Sequence, residues 1–154
     1  MRIPTTMIAA AAALAMAAPA AAIGFGPAPA GKNYTVKMLN KGSGGGMMVF
    51  ESNILRIKPG DSVTFVPADM GHDAESIPGM APAGAVPFKG TMSKPITVTF
   101  TKPGVYGFKC NPHFSMGMVG LVIVGSPVNL AQAKAVSLPG RAKQVMNGLL
   151  ATIH

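Results

Sequence analysis

A short segment in the second half of the chain holds a cysteine, a histidine and two methionines within nine residues, from Cys110 to Met118. Cys110 is the only cysteine, His113 follows three residues later, and Met118 five residues after that. A second histidine, His72, lies 38 residues before Cys110. Two imidazoles, one thiolate and a weak thioether are the ligands typical of blue copper electron-transfer sites. The residue types and their spacing therefore predict a copper site that cycles between Cu(I) and Cu(II).

Other roles for the same side chains are open at this point. Zinc uses cysteine and histidine donors but gains little from a thioether. A nucleophilic Cys–His pair needs a group that orients the base, and no carboxylate or amide stands at a suggestive place. Met116 is a second candidate for the axial donor, and a methionine such as Met118 is often only core filler. Copper accounts for the whole set of donors better than zinc or a nucleophile does.

The first residues have the pattern of an export signal. Arg2 precedes an uncharged, alanine-rich run from Met7 to Met16, and small residues that suit a signal peptidase follow. We expect a signal peptide over residues 1–22, with cleavage there or as late as Ala30. The apolar run is shorter than the roughly 18 residues that favour a membrane span, so we expect no membrane contact after cleavage. An exported chain with one cysteine cannot form an internal disulfide, and a metal-bound thiolate explains that cysteine well.

The charge balance bears on the kind of partner. The chain has 13 lysines and arginines against 5 aspartates and glutamates, a formal net charge of +8. The basic residues are scattered and few aromatic residues lie among them, which argues against nucleic-acid binding. A positive balance of this kind favours steering towards an acidic protein surface. We expect a monomer, with residues 31–154 forming one domain around one core.

Short segments typical of β-strands, separated by turn signals, run through the middle of the chain; several alternate in hydrophobicity, and the last is continuously apolar. They are Tyr34–Met38, Met48–Phe50, Ile54–Ile57, Val63–Phe65, Ile96–Phe100, Val105–Lys109 and Val119–Val124. Proline followed by glycine, at Pro59 and again at Pro103, marks tight turns between them. Six or seven short strands of this kind predict an antiparallel sandwich. The stretch from Gly71 to Lys94 is rich in Gly, Pro and Met, and we expect an irregular loop there.

The spacing of apolar residues changes at about residue 128. Val128–Val136 is rich in alanine, and residues 139–153 place apolar side chains at helical spacing. Pro139 suits the first turn of a helix, where its missing N–H costs no hydrogen bond. We predict one short helix and one longer amphipathic helix. Covering the sheet is the preferred role of the longer helix, and binding a partner is the alternative.

Several motifs, in order along the chain, resemble the pseudoazurins, a family of blue copper proteins in the cupredoxin superfamily. The motifs are Met38–Gly42, Met48–Glu51, Lys58–Phe65, Gly71–His72, Pro103–Gly107, Lys109–Cys110, Pro112–His113 and Met116–Gly120. The short separation of His72 from Cys110 distinguishes them from plastocyanins. The resemblance implies a mainly β fold, a cupredoxin Greek-key sandwich of about eight strands with two C-terminal α-helices. It also implies a single plastocyanin-like domain over residues 31–154, with the helices starting at about 128.

Position by position, the resemblance implies a ligand set and an activity. His72, Cys110 and His113 would bind one type-1 copper ion, with Met118 as a long axial ligand and Met116 at the surface. The implied activity is that of a periplasmic one-electron shuttle, not of an enzyme. A copper carrier or buffering protein is the alternative, because the same residues would bind copper without redox turnover. The twelve methionines, however, form no clustered Met-x-x-Met array.

Three neighbours of the implied ligands are expected to tune the site: Asn40, Asp73 and Pro112. Asp73 stands where the family usually has asparagine, and a buried negative charge at that position would favour Cu(II). Pro112 has no N–H to donate to the cysteine sulfur, and such hydrogen bonds around a ligand tune the metal.

The resemblance also implies a docking surface around the edge of the His113 ring. Its apolar candidates are Met48, Met116, Pro67 and Pro112. Its basic candidates are Lys41, Lys89 and Lys109, with Arg141. Met70 stands where the family often carries another lysine, so we expect a thinner basic rim. The implied partners are acidic-faced redox proteins, a copper nitrite reductase or a c-type cytochrome.

Overall fold

Eight strands and two helices form in residues 30–154, the part of the chain that this computed structural model describes. The strands are β1 (Asn33–Lys41), β2 (Met47–Glu51), β3 (Ile54–Ile57), β4 (Ser62–Pro67), β5 (Glu75–Ser76), β6 (Ile96–Thr99), β7 (Gly104–Lys109) and β8 (Val119–Val124). The helices are α1 (Leu130–Lys134) and α2 (Gly140–Leu150). The predicted signal peptide, residues 1–22, lies outside the described residues. No helix of residues 30–154 is long and apolar enough to cross a membrane.

The strands form two four-stranded sheets that enclose a common core. One sheet has the order β2-β1-β4-β6 and the other the order β3-β8-β7-β5. The predicted sandwich of about eight strands with two C-terminal helices is therefore confirmed. The expectation of purely antiparallel pairing is wrong, because β1 pairs with β4 and β3 pairs with β8 in parallel. Each of these pairs joins strands that are not consecutive in the chain, and such strands can run in the same direction.

Aromatic rings fill the space between the two sheets. The Phe108 ring lies edge-on to Phe50 and to Phe65, with centroid distances of 4.8 Å and 4.9 Å. Phe108 is fully buried on β7, two residues before Cys110. Gly120 pairs with Phe108 across the sheet, and a Cβ at Gly120 would overlap the Phe108 ring. The strand that leads to Cys110 is thus anchored in the core by the Phe108 ring.

A second cluster of buried residues lies on the other face of the β3-β8-β7-β5 sheet. Val119, Leu121 and Ile123 of β8 belong to it, together with Ala142 and Met146 of α2. Because α2 covers this face, β8 is buried on both sides, and a strand buried on both faces has a continuous apolar sequence. The structure therefore supports the predicted role of α2 as a cover for the sheet. Pro139 is the residue before the first helical residue, one position earlier than expected.

Buried Asn129, just before α1, binds the backbone of β7. Its Oδ1 accepts a hydrogen bond from the Val105 N–H at 2.7 Å, and its Nδ2 donates to the Val105 carbonyl at 2.9 Å. Strand β5 pairs with β7 only at Lys109 and Phe108, so this side of Val105 has no strand beside it. The Asn129 amide takes the place of the missing strand, which satisfies backbone groups that burial would otherwise leave unpaired.

The stretch expected to be an irregular loop contains one strand, the two-residue β5. Glu75 of β5 pairs with Lys109 of β7, and Ser76 pairs with Phe108. Apart from one isolated bridge between Glu75 and Lys89, the rest of that stretch consists of turns and irregular backbone, as expected. This short pairing has a consequence for the site, because it joins the segment after His72 to the strand before Cys110.

Candidate metal centre

Two loops at one end of the sandwich carry the predicted donors. His72 lies between β4 and β5, whereas Cys110 follows β7 directly and Met118 directly precedes β8. Because β7 and β8 are antiparallel neighbours, the loop that joins them begins and ends at adjacent positions in the sheet. Its ends are tied together: the Cys110 N–H donates to the Met118 carbonyl at 3.0 Å, and the Met118 N–H donates to the His113 carbonyl at 3.2 Å. We call this end of the sandwich the ligand end and residues 110–118 the ligand loop.

The three strongest donors converge on one point. The Cys110 Sγ lies 3.7 Å from the His72 Nδ1 and 3.4 Å from the His113 Nδ1. The donor atoms all lie within 4.8 Å of one another. Metal–sulfur and metal–imidazole bonds are each about 2.0–2.3 Å long, so donors that share one ion lie about 3–4 Å apart. Both the chemistry and the spacing of these donors fit a metal ion.

The two candidate axial methionines occupy different environments. Met118 is fully buried and belongs to the same core cluster as Cys110. Met116 is half exposed. Since an axial ligand must lie inside the site, burial favours Met118, as the resemblance implies.

Asn40 orients the imidazole of His72. The His72 Nε2 lies 2.9 Å from the Asn40 Oδ1, which leaves Nδ1 free on the side of Cys110. A partner for the second ring nitrogen is what a metal-binding histidine ordinarily has. Burial, together with the nearby His113, lowers the pKa of His72, so the ring is neutral and able to bind a metal ion at physiological pH.

The Cys110 thiol is chemically matched to a metal ion. Burial raises its pKa to about 11, although the backbone N–H groups of Asp73 and His113 act in the opposite direction. A thiol in such a place ionises when a cation replaces its proton, and binding then releases that proton. The contribution of the His113 N–H to this pKa was not foreseen from the sequence.

Asp73 connects the two loops of the site. Its side chain is buried, and its Oδ1 accepts a hydrogen bond from the Asn111 N–H at 2.6 Å. The carboxylate therefore connects the His72 segment to the ligand loop. Asp73 thus lies where a residue that tunes the site is expected. Pro112, the next residue of the loop, is exposed.

Ser93, which the sequence did not single out, holds the His72 segment from the other side. The Ser93 N–H donates to the His72 carbonyl at 2.8 Å, and the Gly71 N–H donates to the Ser93 Oγ at 2.9 Å. Ser93 lies in the stretch that has no periodic pattern, so no sequence signal pointed to it.

Two of the apolar docking candidates, Met48 and Met116, lie near each other. Met48 and Met116 line a shallow cavity of about 200 Å³ together with Arg141, at the ligand end. The Arg141 N–H donates to the Ser115 carbonyl at 2.9 Å, so the start of α2 contacts the ligand loop. Pro67 ends β4 and is half-buried.

The three candidate docking lysines have unequal surroundings. Lys41 is exposed and follows Asn40 at the end of β1, which lies at the ligand end because β1 runs parallel to β4. The Lys89 side chain is 77% exposed, and its Nζ lies 3.9 Å from Glu75. The Lys109 side chain is only 14% exposed, and its Nζ lies 2.8 Å from Glu75. Lys109 is thus enclosed and closely paired, whereas Lys41 and Lys89 are exposed.

Comparison with known proteins defines the class of protein. Residues 36–125 match the model of the family described as copper binding proteins, plastocyanin/azurin family. The chain is 49% identical to the pseudoazurin of Methylorubrum extorquens, over 81% of this chain and 84% of that protein. It is 47% identical to the pseudoazurin of Paracoccus pantotrophus, over 79% and 83% of the two chains. The crystal structure of pseudoazurin from Methylobacterium extorquens AM1 superimposes with a TM-score of 0.76 at 48% identity, over 80% of this chain and all of that one.

A two-sheet sandwich with a Cys–His–His cluster at one end, in a chain that matches this model over most of its described length, is a copper-binding cupredoxin. The chain belongs to the plastocyanin/azurin family and, within it, to the pseudoazurins. Its cofactor is copper, and it is a blue copper electron-transfer protein, not an enzyme.

Proposed function

We propose that this chain is a soluble periplasmic carrier that passes single electrons between acidic redox proteins. Donation to a copper nitrite reductase, or exchange with a c-type cytochrome, is the role that this surface chemistry suits best. In this proposal residues 1–22 are removed on export and residues 31–154 form the working domain. The observation that carries the proposal is the convergence of the Cys110 Sγ with the Nδ1 atoms of His72 and His113.

In the proposed site His72, Cys110 and His113 would hold the copper ion, with the buried thioether of Met118 as a weaker fourth donor. When bound, the ion supplies a Cu(I)/Cu(II) couple, for which this mixture of imidazole and sulfur ligands is suited. The protein's part is to keep the donors in place. Hydrogen bonds from the His72 Nε2–H to the Asn40 Oδ1 and from the Asn111 N–H to the Asp73 carboxylate restrict both loops, so the ligands move little when the charge of the site changes.

His113 is the proposed exit for the electron. His72 and Cys110 are fully buried, whereas His113 is only half-buried and is therefore the strong donor that reaches the surface. Met116 lies three residues further along the loop and is half exposed, so the same loop also offers apolar surface. Apolar contact at the centre and charge at the rim suit a complex that forms quickly and dissociates quickly.

Visible and EPR spectra of the copper-loaded chain test the proposed site. The oxidised protein should be intensely blue or green from sulfur-to-copper charge transfer, and only weak, pale absorption would contradict the assignment. Electron self-exchange between reduced and oxidised protein then separates the shuttle from the copper carrier. Fast self-exchange with copper retained supports the shuttle, whereas ready transfer of copper to an acceptor supports the carrier.

Lysine steering should make association with an acidic partner depend on salt. We expect the bimolecular rate constant to fall at least about tenfold between roughly 0.01 M and 0.15 M ionic strength, because salt screens the attraction. Lys41→Met should lower the low-salt rate. The matched control is Lys58→Met, since Lys58 is also exposed but lies in the turn before β4, at the opposite end of the sandwich. Equal effects of the two substitutions, or no salt dependence, would contradict steering at the ligand end.

Asp73→Asn should raise the reduction potential by tens of millivolts. The Asp73 side chain is 5% exposed, and a negative charge so close to the ligands favours the more highly charged Cu(II) state. The asparagine oxygen can still accept the hydrogen bond from the Asn111 N–H, so the change is mainly one of charge. Asp61→Asn is the control, because Asp61 is also 5% exposed but lies just before β4, away from the site. Redox titration of both variants measures the effect, and an unchanged potential in Asp73→Asn would refute the charge argument.

A further inference from the structure

We propose that Lys109 is a positioning residue for the ligand loop, held in place by Glu75, and that it contributes little to docking. The inference rests on the proposed function, since the loop it positions is the one that carries Cys110 and His113. It assigns to Glu75 a role that neither the sequence nor the resemblance suggested.

The first observation is the quality of the ion pair between Lys109 and Glu75. The Lys109 Nζ lies 2.8 Å from the Glu75 Oε1, and both side chains are only 14% exposed. Glu75 also faces Lys89, but at 3.9 Å and with a lysine side chain that is 77% exposed. Exposed ion pairs hold side chains weakly, whereas a short pair shielded from water holds them more firmly. Glu75 therefore fixes Lys109 much better than it fixes Lys89.

The second observation is what the fixed ammonium group touches. The Lys109 Nζ lies 3.3 Å from the Asn111 Oδ1 and 4.6 Å from the centroid of the Phe114 ring. A lysine ammonium over an aromatic face is attracted to it, and the attraction strengthens when water is excluded. Asn111 and Phe114 lie on either side of His113 in the sequence. One ammonium group thus contacts the ligand loop before and after its half-buried histidine, His113.

The third observation is that two acidic residues of one segment hold the same residue of the ligand loop. Asp73 accepts a hydrogen bond from the backbone N–H of Asn111, at 2.6 Å. Glu75, two residues later, reaches the side chain of Asn111 through Lys109. The register of β5 against β7, which places Glu75 opposite Lys109, makes this second connection possible. The segment after His72 therefore contacts the ligand loop at two points, through Asp73 and through Glu75 with Lys109.

The positive charge of Lys109 is largely neutralised by Glu75 and therefore contributes little to docking. The carboxylate of Glu75 lies against the ammonium of Lys109, and the pair projects little net field towards a partner. Removal of Lys109 should therefore loosen the loop more than it slows association. Removal of Lys89, which is mostly exposed, should slow association more than it loosens the loop.

Backbone amide exchange tests the positioning role. We would measure it by NMR on the metal-free chain and on the reduced, copper-loaded chain. Lys109→Met should speed exchange at Asn111 and Phe114 about tenfold, because a charge-assisted contact is lost. Lys109→Arg, which keeps the ion pair and the cation–aromatic contact, should stay close to the unmodified protein. Lys89→Met is the matched control and should leave the exchange rates of these two amides unchanged. The amide of Leu121 in β8 is an internal control, and its exchange rate should be the same in every variant.

A charge-neutral double substitution tests the docking part. Glu75→Gln combined with Lys109→Met removes one charge of each sign, so the net charge stays the same. We expect its low-salt association rate with an acidic redox protein to stay within about twofold of the unmodified chain, while Asn111 still exchanges faster. Unchanged exchange in Lys109→Met, or an association rate that falls as much in the double variant as in Lys89→Met, would overturn the inference. Exchange in the metal-free chain needs no copper, so its outcome is separate from the test of the proposed function.

Discussion

Replacing Cys110 with serine is expected to remove nearly all the intense visible absorption of the copper-loaded chain. That absorption requires a sulfur that shares electrons covalently with the ion, and a serine oxygen is a much harder donor. The two imidazoles remain, so the variant can still bind a divalent ion, although less tightly. The measurement is the visible spectrum at equal copper content, with copper determined independently.

His154→Ala is the control for this experiment. His154 is the third histidine of the chain, it is exposed at the end of the described residues, and it lies outside the Cys–His–His cluster. The colour of this variant should equal that of the unmodified chain. Far-UV circular dichroism should show that Cys110→Ser keeps its strands. If the serine variant kept the strong band, Cys110 could not be the source of the charge transfer.

Phe108→Ala should lower the free energy of unfolding by about 3–5 kcal/mol, because it leaves a large cavity in a closely packed core. The ring is fully buried, lies against Phe50 and Phe65, and covers Gly120 on the neighbouring strand. Four elements of the sandwich thus lose a shared contact at once. Urea unfolding of the metal-free chain measures the effect without the added stability of a bound ion.

Val86→Ala is the control for the core substitution. Val86 is strongly exposed, and a substitution there should change the free energy of unfolding by no more than about 0.5 kcal/mol. A loss below about 1 kcal/mol in Phe108→Ala would mean that the rings repack around the gap and that the aromatic cluster does not anchor β7.

The strands could be predicted because alternation records which face of a strand is buried. It records nothing about which strand lies alongside, so the parallel pairs β1–β4 and β3–β8 were not foreseen. Strand β5 has only two residues, Glu75 and Ser76, too few for a periodic pattern. It forms because β7 offers free backbone groups beside it, which is a property of the folded sheet.

The donors of the site were foreseeable because most of them lie within one short loop between adjacent strands. The groups that orient them come from distant parts of the chain. Asn40 lies 32 residues from His72, which it contacts. Lys109 is a basic residue next to a ligand, so its sequence position suggests a role in docking. Only the register of β5 against β7 shows that Glu75 pairs with it. Spacing along the chain reveals donors, whereas orientation depends on contacts that the fold creates.

The hydrogen bonds of Asn129 to Val105 also affect how molecules of this protein meet one another. A sheet margin with unpaired N–H and carbonyl groups is a template on which a strand from another molecule can add, and this is a common route to aggregation. The side-chain amide of Asn129 occupies that margin at Val105. A strand from another copy of the chain therefore finds no free backbone groups at Val105 with which to extend the sheet.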